Sequence, residues 1–173
     1  MPLQVAVLAG GLGTRLRPFT ESRPKALIPV LGRPFADWQL RLLASQGLER
    51  VVYLIGHGGD ELREYIGDGA RFGLAVTWVS EGEHLLGTAG ALRLAVEQQA
   101  LDDVFFVLYG DSYLPTDMAR VADAWQSSGM PALMTVLRND GRWDQSNVVY
   151  EDGRVVLYDK RANPKPPDMR WID

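Results

Sequence analysis

A glycine-rich and basic stretch near the N-terminus carries the clearest chemical signal in this sequence. Val5 to Leu8 is an apolar run, and Gly10, Gly11 and Gly13 follow it almost at once. Glycine lets a backbone approach a ligand closely, and the N–H groups of such a turn form a concave anion site. The segment 13–25 contains three arginines, one lysine and one glutamate, a local charge of +3 in a chain of net charge −4. This contrast indicates a polyanionic ligand.

Two common phosphate-binding motifs do not fit this stretch. The dinucleotide fingerprint needs a third glycine where Leu16 stands. The P-loop needs Gly and then Lys after the four residues that follow Gly10, where Arg15 and Leu16 stand. The stretch instead reads G-G-x-G-T-R-L-x-P-x-T over residues 10–20, followed by P-K-A-L over residues 24–27. This long pattern resembles the nucleotide-binding signature of the sugar-1-phosphate nucleotidylyltransferases.

The rest of the chain alternates between strand-like and helix-like segments. Short apolar runs predict strands, and apolar residues at helical spacing predict helices between them. This alternation predicts an α/β fold with a mostly parallel open sheet flanked by helices. The predicted strands are Val5–Leu8, Val51–Ile55, Ala75–Val79, Val104–Leu108, Ala132–Leu137, Val148–Tyr150 and Val155–Tyr158, the last two joined by a hairpin turn at Asp152-Gly153. The predicted helices are Phe35–Gly47, Asp60–Ile66, Thr88–Ala100 with Thr88 as the cap, and Asp117–Trp125.

Three polar or glycine-rich turns follow predicted strands of this sheet. Ligands of open α/β sheets bind beyond the carboxyl ends of the strands. The loop at Gly10, the turn at Gly87-Thr88 and the turn at Gly110-Asp111 are all expected there. Mg²⁺ prefers one or two carboxylates together with phosphate oxygens and water. We therefore predict Mg²⁺ as the cofactor and Asp111 as its protein ligand.

The family resemblance extends over most of the chain and implies specific roles. Glu81 to Leu92, EGEHLLGTAGAL, is similar to the family's second nucleotide segment, and Gly110-Asp111 matches its metal-binding aspartate. The resemblance implies a Rossmann-like three-layer α/β/α sandwich. It implies catalytic roles for Arg15, Lys25 and Asp111, and it places Lys160 at the sugar phosphate. The implied nucleotide-binding residues are Leu8, Ala9, Gly10, Gly11, Gly13, Thr14, Arg15, Lys25, Glu81, Gly87 and Thr88.

The resemblance implies a reaction between a nucleoside triphosphate and a sugar 1-phosphate, which gives an NDP-sugar and pyrophosphate. The sequence leaves the base and the sugar open. Two alternatives also remain open. The chain could be a non-catalytic nucleotide-binding or regulatory module, or a cytidylyltransferase that acts on a non-sugar phosphate such as phosphocholine. The loop 139–147 is expected to select the acceptor.

Length and composition set further bounds. We expect residues 1–173 to form one nucleotidyltransferase domain that lacks the C-terminal portion usual in the family. We interpret Asp173 as an ordinary strand-end residue rather than as a second metal ligand. The chain has no cysteine, no visible signal peptide and no membrane-length apolar run, which predicts a cytoplasmic protein without a membrane partner. Its negative net charge argues against nucleic acid as a partner.

Overall fold

A computed structural model describes residues 3–11, 13, 16, 19–20, 23–56, 58–82 and 84–173. The chain divides into two compact units, Met1–Thr116 and Asp117–Asp173. Each unit has its own sheet. The expectation of one nucleotidyltransferase domain over residues 1–173 stays a prediction.

The first unit is built on a parallel sheet of four strands in the order β5-β4-β1-β6. Buried apolar runs form its two central strands, as expected when helices cover both faces of a sheet. Each strand predicted within this unit is present, with bounds within one residue of those expected. A short antiparallel pair, β2-β3, lies outside this sheet. The strands are β1 (Gln4–Leu8), β2 (Pro29–Val30), β3 (Arg33–Pro34), β4 (Arg50–Ile55), β5 (Ala75–Ser80) and β6 (Phe105–Tyr109).

The register of this sheet aligns the carboxyl ends of its four strands. Leu8 of β1 lies between Leu54 of β4 and Tyr109 of β6, and Leu54 pairs in turn with Val79 of β5. The residues that follow these positions therefore emerge along one edge of the sheet. The prediction of a mostly parallel α/β sheet is confirmed.

The helices of this unit are α1 (Phe35–Ser45), α2 (Gly59–Ile66) and α3 (Gly87–Glu97), with 3₁₀ turns at Lys25–Leu27 and Ala70–Phe72. All three predicted helices are present. The fully buried apolar side chains of α1 are Ala36, Leu40 and Leu43. Phe35, Trp38 and Leu42, apolar residues whose helical spacing predicts that they face the core together with Leu43, are only half-buried.

The start of α3 differs from the prediction. The residue at its cap position is Leu86, and Thr88 lies inside the first turn of the helix. Ala91 and Ala95 of α3 pack against Ala6 and Val52 of the sheet. Their small side chains let the helix lie close to the strands, so packing rather than a cap fixes its position.

The second unit contains one helix and an antiparallel sheet in the order β7-β10-β8-β9. The hairpin at Asp152-Gly153 is confirmed, and both turn residues have positive φ, 46° and 81°, as a type I′ turn requires. The strand predicted at Ala132–Leu137 is wrong: of these residues, which the structure describes in full, Leu137 alone is in a strand. The elements are α4 (Met118–Ser128), β7 (Leu137–Arg138), β8 (Val148–Glu151), β9 (Arg154–Tyr158) and β10 (Trp171–Ile172).

In the described part of the chain, no helix has the length and apolar character needed to cross a bilayer.

Candidate active site

Backbone hydrogen bonds extend the parallel sheet into the site. The amide of Ala9 donates to the carbonyl of Leu54 at 2.8 Å, and the amide of Gly110 donates to the carbonyl of Leu8 at 2.8 Å. The amide of Glu81 donates to the carbonyl of Ile55, also at 2.8 Å. The first residues after β1, β5 and β6 are thereby held in place by the sheet itself.

A cavity of about 290 Å³ opens at this edge of the sheet, entirely within the first unit. Every predicted nucleotide-binding residue that the structure describes lines it. Thr14 and Arg15 lie outside the described residues. The predicted site residues around the cavity are Leu8, Ala9, Gly10, Gly11, Gly13, Lys25, Glu81, Gly87, Thr88 and Asp111.

Gly10 allows a close approach between the first loop and Glu81. A Cβ atom at Gly10 would lie 2.4 Å from Glu81 Oε1. The other carboxylate oxygen of Glu81 accepts a hydrogen bond of 2.6 Å from the amide of Leu86, one residue before α3. Glu81 therefore fixes the entry to α3 while its carboxylate stays against the glycine loop.

Gly13 forms the turn on the other side of the loop. Its φ of +60° favours glycine, and a Cβ atom there would lie 2.9 Å from Thr20 Cγ2. The Thr20 hydroxyl donates to the carbonyl of Gly13 at 2.9 Å, and the amide of Leu16 donates to the same carbonyl at 2.9 Å. These contacts hold Leu16 and Thr20 against the turn at Gly13.

Lys25 and Asp111, two of the predicted catalytic residues, form an ion pair at the cavity. Lys25 Nζ lies 2.5 Å from Asp111 Oδ2, and the side chains are 33% and 44% exposed. Buried Ala26 and Leu27 anchor the 3₁₀ turn that begins at Lys25. The loop lysine and the strand-end aspartate, far apart in sequence, thus share one site.

Gln39 on α1 holds the turn that carries Asp111, a role that no motif in the sequence predicts. Its side chain is 1% exposed, and Nε2 donates to the carbonyls of Tyr109 at 3.0 Å and Ser112 at 2.8 Å. These carbonyls lie on either side of Gly110-Asp111. The one sequence signal was an amide on the helix face that also carries buried Ala36, Leu40 and Leu43.

Lys160 lies in the second unit, two residues after the end of β9, within a hydrogen-bonded polar cluster. We define this cluster as Asn147, Tyr158, Lys160 and Asp173. Lys160 Nζ lies 2.9 Å from Asp173 Oδ2, and the Tyr158 hydroxyl donates to the same oxygen at 2.9 Å. Asn147 Nδ2 donates to Asp173 Oδ1 at 2.6 Å, and the Asp173 amide donates back to Asn147 Oδ1 at 3.2 Å. Asp173 is therefore a bonded member of a cluster, which its strand-end position did not predict.

The cluster shifts the pKa of both its charged members. Burial on its own would raise the pKa of Asp173, but hydrogen bonds from Lys160, Tyr158 and Asn147 outweigh burial and hold that pKa below its usual value. Burial would likewise lower the pKa of Lys160, but hydrogen bonds with Asp173 and Tyr158 and the charge of Asp173 raise it. The cluster thus stabilises a carboxylate and an ammonium side by side.

Among the described residues, no group of three or more His, Cys, Asp or Glu side chains could enclose a metal ion. Asp111 is half-exposed at the cavity and offers a single carboxylate. Such a donor suits a metal that takes most of its ligands from phosphate and water, as Mg²⁺ does.

The sheet and its cavity define an α/β protein of the Rossmann-like class, with its site beyond the carboxyl ends of parallel strands. A family model described as nucleotidyl transferase matches residues 4–145. The chain belongs to this family, which confirms the resemblance found in the sequence.

Curated relatives are about one-third identical to this chain over the residues that align with it. A mannose-1-phosphate guanylyltransferase from Mycobacterium tuberculosis is 32% identical over 168 residues, which is 96% of this chain and 46% of the relative. A glucose-1-phosphate thymidylyltransferase from Streptomyces antibioticus is 33% identical over 167 residues, 94% of this chain and 46% of the relative. The chain therefore spans about half the length of these relatives.

Solved structures agree with the family assignment. HddC from Yersinia pseudotuberculosis, solved in complex with GMP-PN, superimposes with a TM-score of 0.63 and is 28% identical. The match covers 70% of this chain and 53% of HddC.

Proposed function

We propose that this chain is a nucleotidyltransferase domain that transfers a nucleotidyl group from a nucleoside triphosphate to a sugar 1-phosphate. The observation that carries the proposal is the single cavity at which the glycine loop, Lys25, Glu81 and Asp111 meet. A polyanion with an attached base fits this combination of backbone amides, a cation and an adjoining carboxylate. The names of the relatives support a sugar phosphate as acceptor.

In the proposed reaction, an oxygen of the sugar phosphate attacks the α-phosphorus in line. The new P–O bond forms as the bond to the β-phosphate bridging oxygen breaks, and pyrophosphate leaves. No protein nucleophile takes part, so positioning and charge stabilisation supply the catalysis. Lys25 would exchange Asp111 for an α-phosphate oxygen. Arg15, outside the described residues, is proposed to stabilise the departing pyrophosphate through its planar guanidinium.

We propose Mg²⁺ as the cofactor, held by Asp111 together with phosphate oxygens and water. When bound, the ion would neutralise charge on the phosphates. Gln39 supports this assignment indirectly, since this buried side chain braces the backbone on both sides of Gly110-Asp111 and so fixes the turn from which the carboxylate extends. Lys160 is proposed to bind the phosphate of the sugar, and the loop 139–147 to contribute to the choice of acceptor.

Two assays in sequence test the proposal. The first is a thermal-shift panel with ATP, GTP, CTP, UTP and dTTP, each with Mg²⁺. A ligand at about 100 times its dissociation constant adds about 2.7 kcal/mol of stability, which for a chain of this size raises the melting temperature by roughly 5–10 °C. The second assay measures pyrophosphate release with the selected nucleotide and glucose 1-phosphate, mannose 1-phosphate or phosphocholine.

Each outcome separates the proposal from its alternatives. Release with a sugar 1-phosphate that Asp111→Asn abolishes and Asp103→Asn preserves supports it, because Asp103 is an exposed acid outside the cavity. A nucleotide shift without turnover on any acceptor indicates a non-catalytic binding module. Turnover with phosphocholine alone indicates a cytidylyltransferase. If no nucleotide shifts a cooperatively melting protein, the cavity is not a nucleotide site.

A further inference from the structure

The polar cluster of the second unit distributes exposure unevenly between its two charged members. The Asp173 side chain is 14% exposed, whereas that of Lys160 is 52% exposed. The Asp173 carboxylate is therefore largely buried, whereas the Lys160 side chain is half-exposed to solvent. Because Lys160 is half-exposed, its ion pair with Asp173 adds little to stability, so this arrangement calls for another explanation.

The Asp173 carboxylate is held from three directions. Asn147 donates to Oδ1, Tyr158 and Lys160 donate to Oδ2, and the Asp173 amide returns a hydrogen bond to Asn147. Both oxygens thus face N–H or O–H donors. This is the environment of an anion that is fixed in place, and it differs from the open carboxylate of Asp111.

We propose that Asp173 is a positioning residue that holds the Lys160 ammonium charged and directed outward for the phosphate of the sugar substrate. The inference rests on the proposed function, in which Lys160 binds that phosphate. A free lysine side chain has many rotamers, and it loses conformational entropy when a bound phosphate restricts it to one of them. This loss weakens phosphate binding. The Asp173 carboxylate, itself fixed by Asn147 and Tyr158, restricts those rotamers before the substrate arrives.

The chain allows a direct test because it contains three lysines, Lys25, Lys160 and Lys165. Limited reductive methylation followed by peptide mass spectrometry gives the reaction rate of each one. In Asp173→Asn, the Lys160 rate is expected to rise several-fold, because loss of the carboxylate lowers the pKa of the Lys160 ammonium and leaves more free amine. The rates of Lys25 and Lys165 should stay constant and serve as internal references.

A second readout links the positioning to substrate. Glucose 1-phosphate and mannose 1-phosphate are the probes, each added during methylation. They should protect Lys160 in the wild-type protein and protect it at least fivefold less in Asp173→Asn. In the turnover assay, Asp173→Asn should raise the KM for the sugar phosphate and leave the KM for the nucleotide unchanged, a split that general loss of structure would not produce.

The matched control is Asp152→Asn, which removes one carboxylate at the opposite end of β9 and places Asn in a positive-φ turn that it tolerates. This variant should leave the Lys160 rate and its protection unchanged. If Asp173→Asn does not melt cooperatively, Tyr158→Phe replaces it, because it removes one of the donors that fix Asp173. The same effects are then expected at smaller size.

The outcomes keep the two proposals apart. An unchanged Lys160 rate in Asp173→Asn overturns the positioning role whatever the activity. A higher rate with unchanged protection and unchanged sugar-phosphate KM overturns it as well. If the wild type shows protection but no turnover, the catalytic proposal fails and the positioning role is decided by protection alone. Absence of protection in the wild type overturns the positioning role even where turnover is found.

Discussion

Replacing Gly10 by alanine tests whether the close contact between the glycine loop and the Glu81 carboxylate stabilises the fold. The added Cβ atom would lie 2.4 Å from Glu81 Oε1 and 3.4 Å from the amide nitrogen of Gly56. The first distance is too short for any contact, so the Glu81 carboxylate must turn away. Turning it breaks its hydrogen bond with the amide of Leu86.

The size of the effect follows from that hydrogen bond. A hydrogen bond to a charged group contributes about 1.5–3 kcal/mol to the free energy of unfolding. Replacing glycine by alanine adds about 0.4–1 kcal/mol, because it lowers the conformational entropy of the unfolded chain. The free energy of unfolding should therefore fall by about 1–2 kcal/mol. For a chain of this length, the melting temperature should fall by roughly 2–8 °C.

Gly11→Ala is the matched control in the same loop. A Cβ atom at Gly11 meets no atom of the described residues within 4 Å. The ligand-free Gly11→Ala protein should therefore melt at the wild-type temperature or slightly above it. Calorimetry of both variants without ligand separates fold effects from contacts with a nucleotide.

A double-mutant cycle with Glu81→Ala identifies the cause. Truncating Glu81 removes the clashing oxygen, so Gly10→Ala should be nearly neutral in that background, with a coupling energy of about 1–2 kcal/mol. A Gly10→Ala change that is equally destabilising with and without Glu81, or that behaves like Gly11→Ala, would refute a clash between Gly10 Cβ and the Glu81 carboxylate.

Three further predictions follow from the site and the polar cluster. Gln39→Met should lower the free energy of unfolding by about 1–2 kcal/mol, because it removes two donated hydrogen bonds. Gln39→Glu should lower it more, because it places a carboxylate against two backbone carbonyls. Equal denaturation midpoints for the two variants would contradict this. Lys25→Met should abolish pyrophosphate release yet shift the melting temperature by only a few degrees, since a partly exposed ion pair contributes about 0–1 kcal/mol; retained turnover would exclude a catalytic Lys25. The depressed pKa of Asp173 makes its stabilisation complete above the ordinary value of 3.8 and lost as pH falls through the lower folded-state pKa. The melting difference between wild type and Asp173→Asn should therefore shrink below pH 3.8, and a difference constant down to pH 2 would count against the contacts of Asp173.

The parallel sheet and the location of the cavity were predictable because their signals are local. Gly10 and Gly110 each follow an apolar run directly, and parallel strands bring such ends to one edge. Long-range contacts gave no comparable signal. Gln39 reaches a carbonyl 70 residues away, and no local pattern in α1 indicates that partner.

The wrong predictions share a physical cause. Ala132–Leu137 has the apolar composition of a strand, but a strand forms only where a neighbouring strand supplies hydrogen bonds. The neighbour β10 pairs with Leu137 and Arg138, so the strand begins only at Leu137. Thr88 has the side chain of a cap, but the backbone begins the helix one residue earlier, after Leu86. Composition thus identified the elements better than their ends.

The ion pair between Lys25 and Asp111 makes the loading of the proposed site an exchange of partners. Each group satisfies the other's charge in the ligand-free chain, so a nucleotide that recruits Lys25 leaves Asp111 without a cation, and a cation on Asp111 leaves Lys25 without an anion. When the nucleotide and the cation bind together, Lys25 and Asp111 each face a group of opposite charge. Nucleotide and Mg²⁺ should therefore raise each other's affinity by the same factor, as thermodynamic linkage requires. The pair balances the charges of Lys25 and Asp111 and so ties the binding of the two proposed ligands to each other.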